Sequence, residues 1–315
     1  MKLRFKKNIW IDKKIIHFKK RLFNSYTSLH PNFKSFVTVS NIGHNGRLGN
    51  QLFQYATARA YSEKYNLPIL LPNDKYNRLA DFKPKCSFVK KILLENSSRY
   101  IFKEKKFSFD NAIFAEHKRY DINGLFQTEK YFYKIRNILL KELKTSEENV
   151  SKYCKNYINR LKNKYPNKQI VALHNRRGDN VPSKENYSNL ELGVFRNDKN
   201  RFHPLMKLNY FFCAMQMFDD SIFLVFSDTD KDIEWCKKKF KGKNILFSEG
   251  HDDLTDLMLM KNCDHNIISN SSFSWWGAWL NENPGKKVYA PKVWFGEAYK
   301  NWDVSDLIPK EWIVI

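Results

Sequence analysis

Gln169-Ile170-Val171-Ala172-Leu173-His174-Asn175-Arg176-Arg177-Gly178-Asp179 is the stretch on which the fold turns. Its first half, up to Leu173, reads as a buried strand, a short apolar run closed by polar punctuation. Directly beyond it stand two adjacent guanidiniums, a glycine and a carboxylate. Open α/β sheets bind ligands in the crevice outside the carboxyl ends of their strands, and arginine forks suit bidentate recognition of phosphate. By themselves these residues fit a surface salt-bridge cluster equally well, so the rest of the chain has to decide.

Downstream, strand-like and helix-like segments alternate. Residues 204–218 read as a helix, 221–226 as a strand, 230–240 as a helix, 244–247 as a short strand and 252–262 as a helix. Residues 265–269 then read as a strand, 274–280 as a helix start and 287–290 as a final strand. This spacing predicts an open, mainly parallel sheet. Three of the strands end in chemistry-bearing residues: His174 to Asp179, then Ser227-Asp228-Thr229-Asp230, then Ser269-Asn270-Ser271-Ser272-Phe273-Ser274 opening a helix. Asp, Asn and Ser also serve turns and N-caps. Three such clusters on strand ends are harder to assign to capping alone. Serines and N–H groups at a helix start offer an anion site, and Arg176 or Arg177 can approach it from another strand. Asp228, acceptor-only when ionised, suits paired N–H donors or ribose hydroxyls. Together they suggest a nucleoside diphosphate held without metal. Asp228-Thr229-Asp230 has metal-ligand spacing, but Asp230 also fits the N-cap of the next helix, the reading preferred here.

Upstream, Phe36-Val37-Thr38-Val39 reads as a strand, residues 43–49 as a glycine-punctuated loop, 50–66 as a helix with one small-residue face, and Pro68-Ile69-Leu70-Leu71-Pro72 as the next strand. That order is a βαβ unit. Residues 88–94 and 131–143 look helical, and a polar helix follows Lys144 and ends near Tyr165. The Lys- and Asn-rich run 160–168 places a domain boundary near residue 165. The division is a basic amphipathic arm (1–35), an N-terminal unit (36–165) and a C-terminal unit (166–315).

Net charge is +22 with a pI near 9.6, which calls for an acidic partner: nucleic acid, an anionic membrane or a phosphorylated substrate. Residues 1–34 hold ten Lys/Arg against only Asp12. Ile11, Ile15, Phe18 and Leu22 fall at helical spacing opposite the lysines, so this arm either lies on an anionic membrane surface or docks on the folded body. No recognisable nucleic-acid module accompanies the charge. The chain is 42% hydrophobic and 16% aromatic, which excludes a disordered composition. Five scattered cysteines lack C-x-x-C spacing and favour neither a metal site nor a disulfide framework. No run approaches the ~18 apolar residues of a membrane span. These features point to a cytoplasmic protein with peripheral membrane contact through residues 1–30.

Four ordered motifs resemble glycosyltransferase family 11, the inverting α-1,2-fucosyltransferases. They are Gly46-Arg47-Leu48-Gly49-Asn50-Gln51 with Tyr55-Ala56, His174-x-Arg176-Arg177-Gly178-Asp179, Asn270-Ser271-Ser272-Phe273-Ser274-Trp275-Trp276, and Leu307-Ile308-Pro309-Lys310-Glu311-Trp312. Together they span roughly residues 36–315. The resemblance implies a GT-B fold, two Rossmann-like domains facing across a cleft. It also implies GDP-fucose as donor, a terminal galactose on a glycan as acceptor, and no metal. By similarity Arg176 contacts the β-phosphate and Arg177 supports it. His174 and Asp228 then face the nucleoside, Asn270, Ser271, Ser272 and Phe273 line the diphosphate and sugar pocket, and the loop carrying Gly49 and Asn50 closes over the donor. For the general base that the reaction needs, Asp179 is the first candidate and Glu185 the second. Asp179 serves equally as a partner for the neighbouring arginines. Asn180 follows it where the family commonly has an aromatic, a departure on the acceptor side.

Overall fold

The computed structural model describes residues 34–178 and 202–315. Asp179, Glu185 and nearly all of the basic arm therefore lie outside the described residues.

The first half runs β1 (Phe36–Thr38), α1 (Leu48–Tyr65), β2 (Ile69–Pro72), β3 (Ser87–Val89), α2 (Lys91–Glu95), β4 (Tyr100–Lys103) and β5 (Arg119–Asn123), then α3 (Arg136–Glu142) and α4 (Glu148–Lys164). Its strands form one parallel sheet in the order β3-β2-β1-β5-β4. The second half runs β6 (Ile170–His174), α5 (Leu208–Gln216), β7 (Ile222–Phe226), α6 (Asp230–Lys239), β8 (Ile245–Phe247), α7 (Asp253–Asn262), β9 (His265–Ile267), α8 (Ser272–Leu280), β10 (Val288–Ala290) and β11 (Ile313–Val314). These strands form a second parallel sheet in the order β11-β10-β9-β6-β7-β8. Parallel strands covered on both faces carry continuous apolar runs, and β6 and β7 are buried at every position. The fold is α/β of GT-B type, with the two sheets joined across helices α1 and α8.

α1 is the hinge of this arrangement. It is buried from Leu48 to Tyr61 apart from Asn50, rather than along the single small-residue face expected. One side covers the first sheet and the other meets α8. The Phe53 ring lies 4.5 Å from that of Trp275 and 5.1 Å from that of Trp276. Gly49 fixes the approach: a Cβ there would come within 2.6 Å of the Phe273 amide nitrogen. Only hydrogen fits, so the N-termini of α1 and α8 abut.

Three local expectations change. Residues 88–94 are not one helix, because Phe88 and Val89 pair with Leu71 and Pro72 as the edge strand β3 before α2 begins. Residues 131–143 open as two 3-10 turns around Phe132 and become α-helical only at Arg136. The final strand is β11 rather than residues 287–290, and it adds to the outer edge of β10. α4 packs on α7, with the Tyr153 hydroxyl 2.7 Å from His251 Nε2.

Candidate active site

The three polar strand ends belong to β9, β6 and β7, which are neighbours in the second sheet. Their residues therefore converge.

His174 closes β6 and is buried, with Nδ1 3.0 Å from Ser269 Oγ. The same hydroxyl oxygen accepts the Arg176 N–H at 3.3 Å. Burial, reinforced by the charge of Arg176, pushes the imidazole pKa down to about 3. His174 is thus a neutral strut and does not titrate in the physiological range. Asn175 also points backward, with Nδ2 3.5 Å from Cys236 Sγ.

The two arginines diverge. The Arg176 guanidinium is ion-paired with Asp228, whose other carboxylate oxygen accepts the Arg177 N–H at 2.8 Å. Gly178 has φ +34°, and a Cβ there would lie 2.8 Å from Asp228 Cγ, so glycine lets the loop fold down onto this carboxylate. Arg177 turns away from it. Its guanidinium lies 3.5 Å from the Trp235 ring centroid, and its Nε reaches Asp232 Oδ1 at 3.3 Å. Asp232 is itself fixed by Thr229, which caps α6 by accepting the Asp232 N–H at 3.2 Å and donating its hydroxyl to Oδ2 at 2.7 Å. The cap is therefore Thr229, one residue before the expected Asp230. Asp230 is already helical, because the threonine hydroxyl meets the third N–H of the turn.

α8 presents its N-terminus beside these groups. Ser271 occupies the N-cap position without a side-chain capping bond, and Ser271, Ser272 and Phe273 are all half-buried. The first-turn N–H groups of a helix have no intrahelical partner and attract anions. Because Gly49 sits flush against the Ser272-Phe273 backbone, the positive end of α1 joins that of α8. Arg47, the N-cap of α1, brings Nη1 to 3.9 Å from Asp228 Oδ1 across the junction of the two halves.

Not every expected residue faces this pocket. Asn270 is a buried strut, its Nδ2 donating to the Pro204 carbonyl at 2.8 Å and the Trp294 carbonyl at 3.1 Å. Asn50 accepts from Gln127 Nε2 at 2.8 Å, and its side chain fills the space under Gly46. Asp228 is occupied by the arginines, and Asp179 and Glu185 lie outside the described residues. Sequence reasoning singled out neither Arg47, Asp232 nor Trp235. One signal was available for Arg47: a cation at a helix N-terminus opposes the dipole, so an arginine there calls for another reason. The assembled site gathers Arg47, Arg176 and Arg177 around two carboxylates, beside two helix N-termini. It is a cationic cradle for an anion with several oxygens.

The family described as glycosyl transferase family 11 matches residues 14–315. The match starts inside the basic arm, which the sequence motifs left out. Two Escherichia coli proteins are similar. An alpha-1,2-colitosyltransferase is 31% identical over 308 residues, covering 86% of this chain and 96% of the relative. The O-antigen biosynthesis glycosyltransferase WbnK is 26% identical over 316 residues, covering 85% and 98%. Among solved structures, fucosyltransferase NodZ from Bradyrhizobium is 12% identical with a TM-score of 0.45, covering 78% of this chain and 93% of its own. A variant of Arabidopsis thaliana FUT1 in complex with GDP is 12% identical with a TM-score of 0.47, covering 87% and 74%.

Proposed function

The chain belongs to glycosyl transferase family 11, and we propose that it is an inverting fucosyltransferase. In this reading it moves L-fucose from GDP-fucose to the 2-hydroxyl of a terminal galactose, without a metal. The observation that carries this reading is the pinned arginine pair at the end of β6, beside the joined N-termini of α1 and α8. As the bond from fucose to GDP breaks, the sugar gains oxocarbenium character and the diphosphate gains negative charge. Donors already aimed at those oxygens stabilise that moment more than the ground state. Arg176 is the direct contact to the β-phosphate. Arg177, anchored by Asp232 and stacked on Trp235, fixes the loop that carries Arg176. Asp228 holds both rather than reading the nucleoside. Ser271, Ser272 and the Phe273 N–H take the remaining oxygens, and the N-terminus of α1, with Arg47 and Gly49, faces them from the opposite half. These groups supply the positive charge that a cation would otherwise bring. Deprotonation of the acceptor hydroxyl falls to Asp179, with Glu185 as the second choice. The division of labour binds the donor on residues 166–315, with residues 36–165 across the cleft on the acceptor side. Cytoplasmic location and peripheral contact of the basic arm with anionic membrane belong to the same proposal, supported by the charge of residues 1–34.

A second donor has its own support in the 31% identity to a protein named for colitose transfer. Colitose is fucose without its 3-hydroxyl. A site built to bond a hydroxyl rejects the deoxy analogue by about 10⁴-fold, so one comparison separates the two. The full-length protein is incubated with a β-galactoside and either GDP-fucose or GDP-colitose, with and without EDTA, and the product linkage is read by NMR. The expected result is an α-1,2-linked fucoside formed equally well in EDTA. A strong preference for GDP-colitose, another linkage, or loss of activity in EDTA restored by Mn²⁺ would each overturn its part of the proposal.

A further inference from the structure

A second feature lies at the same edge of the molecule. β4 ends at Lys103 and β10 at Ala290, and the segments that follow these two C-terminal ends meet through aromatic rings. Phe107, from the first half, lies 4.8 Å from Phe295, 5.1 Å from Tyr299 and 4.5 Å from Trp302, all from the second half. Tyr299 in turn lies 5.6 Å from Trp302. Beneath the rings, Asp306 accepts the Phe109 N–H at 3.0 Å and pairs with Lys130, so the two walls are tied together.

One buried residue ties this cluster to the segment that carries the anion cradle. Asn270 stands between Ser269, which holds His174 and Arg176, and Ser271, the N-cap of α8. Its side chain fastens the Trp294 carbonyl, one residue before Phe295. The rings also differ from the other aromatic cluster of the fold. Trp275 and Trp276 in α8 are fully enclosed, whereas Phe107 is 7%, and Trp302 39%, exposed. The cluster therefore rises from a sealed base to an open tryptophan face, and that face takes no part in sealing the junction.

We propose that this step is the acceptor platform, with Trp302 taking the C–H face of a pyranose ring of the acceptor glycan. The proposal rests on the glycosyl-transfer reading and extends it to the acceptor. A galactose ring presents a patch of C–H bonds on one face and hydroxyls around its rim. A tryptophan offers a broad apolar surface with little entropy to lose. The exposed carboxylate of Asp303, next in the chain, accepts the Ser305 N–H at 3.0 Å and is bonded by the Ser108 hydroxyl, and its remaining lone pairs face water where rim hydroxyls would lie. A ring seated here lies at the strand ends of both sheets, where doubly wound folds bind their ligands.

The test uses full-length protein, methyl β-galactoside as acceptor and the variants Trp302→Ala and Trp302→Phe. Trp302→Ala is expected to raise the acceptor KM about tenfold, with the GDP-fucose KM and the calorimetric GDP affinity unchanged. Trp302→Phe should return most of the loss. An acceptor KM within twofold of the parent, or donor and acceptor KM rising together, would overturn the platform. A second arm does not depend on turnover: saturation-transfer NMR of methyl β-galactoside with GDP present. Signal with the parent that disappears in Trp302→Ala supports the platform even where no fucose is transferred, in which case only the donor reading falls. Equal signal in both proteins, or none with the parent, rules the platform out.

Discussion

Arg59 in the first half and Arg176 in the second both meet carboxylates, yet their surroundings differ in arrangement and in access. Arg59 is 3% exposed in the middle of α1. Its Nε donates to both oxygens of Glu142, at 3.0 and 3.2 Å, and its Nη1 to Glu63 at 2.6 Å. The Tyr55 hydroxyl donates to the same Glu142 at 2.5 Å and accepts the Lys85 N–H at 2.9 Å. Two carboxylates answer one guanidinium. Around Arg176 the described residues are arranged differently. Three guanidiniums, counting Arg47 and Arg177, share Asp228 and Asp232, next to half-buried serines at a helix start. The first cluster closes a structure. The second gathers its cations beside two helix N-termini, an arrangement that suits a multiply charged ligand.

The comparison breaks most sharply at Arg59. Arg59→Ala leaves the half-enclosed Glu142 carboxylate without its cation, with only the Tyr55 hydroxyl still tying it to α1. Removing one member of a buried pair costs about 3–5 kcal/mol. Urea unfolding should show that loss, while GDP affinity of the remaining folded protein stays near the parent value. A loss below about 1 kcal/mol, the range of surface pairs, would mean that the enclosed cluster holds nothing together.

Arg176→Ala should do the converse. Removing one preorganised donor from a developing charge costs about 10²–10³ in kcat. Asp228 keeps the Arg177 N–H, so the unfolding midpoint should fall much less than in Arg59→Ala. Turnover at the parent rate in a folded Arg176→Ala protein would remove Arg176 from the chemistry and erase the distinction between the clusters.

How visible each cluster was in the amino-acid order follows from the same contrast. Arg176 and Arg177 could be read because β6 is a continuous apolar run that stops at them, and parallel strands buried on both faces produce such runs. β7 announced its polar end in the same way, whereas β9 carries buried His265 and Asn266 and offered only Ile267-Ile268 as an apolar signal. α1 was read as a helix, but its burial on all sides was not, because the polar residues that resemble a solvated face find partners far along the chain. Gln51 bonds the Tyr76 carbonyl and the Arg78 N–H, and Gln54 the Gly124 carbonyl. β5 was hidden for a related reason. Asp121 is 2% exposed in that strand, satisfied by Arg99 Nε at 2.9 Å and by Ser40 at 2.7 and 3.0 Å. β4 is a short edge strand ending in lysine, with two of its four side chains apolar and exposed. Within the site, the role of Asp228 depended on Gly178 folding the loop back onto the end of β7, which no local pattern encodes. The aromatic step around Trp302 joins residues nearly two hundred positions apart.

The contrast can be sharpened without touching either charge. Arg177 is held by Asp232 and by the Trp235 face, and Trp235 itself lies half-buried against the second sheet's core. Trp235→Leu keeps much of the apolar bulk and removes the π-face. A cation over an aromatic ring contributes about 0.5–2 kcal/mol depending on its exposure to water. Arg177 keeps Asp232 as an anchor, so about 1 kcal/mol, roughly a fivefold loss in GDP affinity, is expected. Raising the salt should widen the gap, because the remaining Asp232 pair is screened and the lost stacking contact was screened less. If Trp235→Leu weakened GDP binding by as much as Arg176→Ala, Arg177 would be a direct phosphate contact rather than the anchor of its loop. If GDP affinity were unchanged at both low and high salt, Asp232 alone would hold Arg177, and the tryptophan would be packing of the same structural kind as the cluster around Arg59.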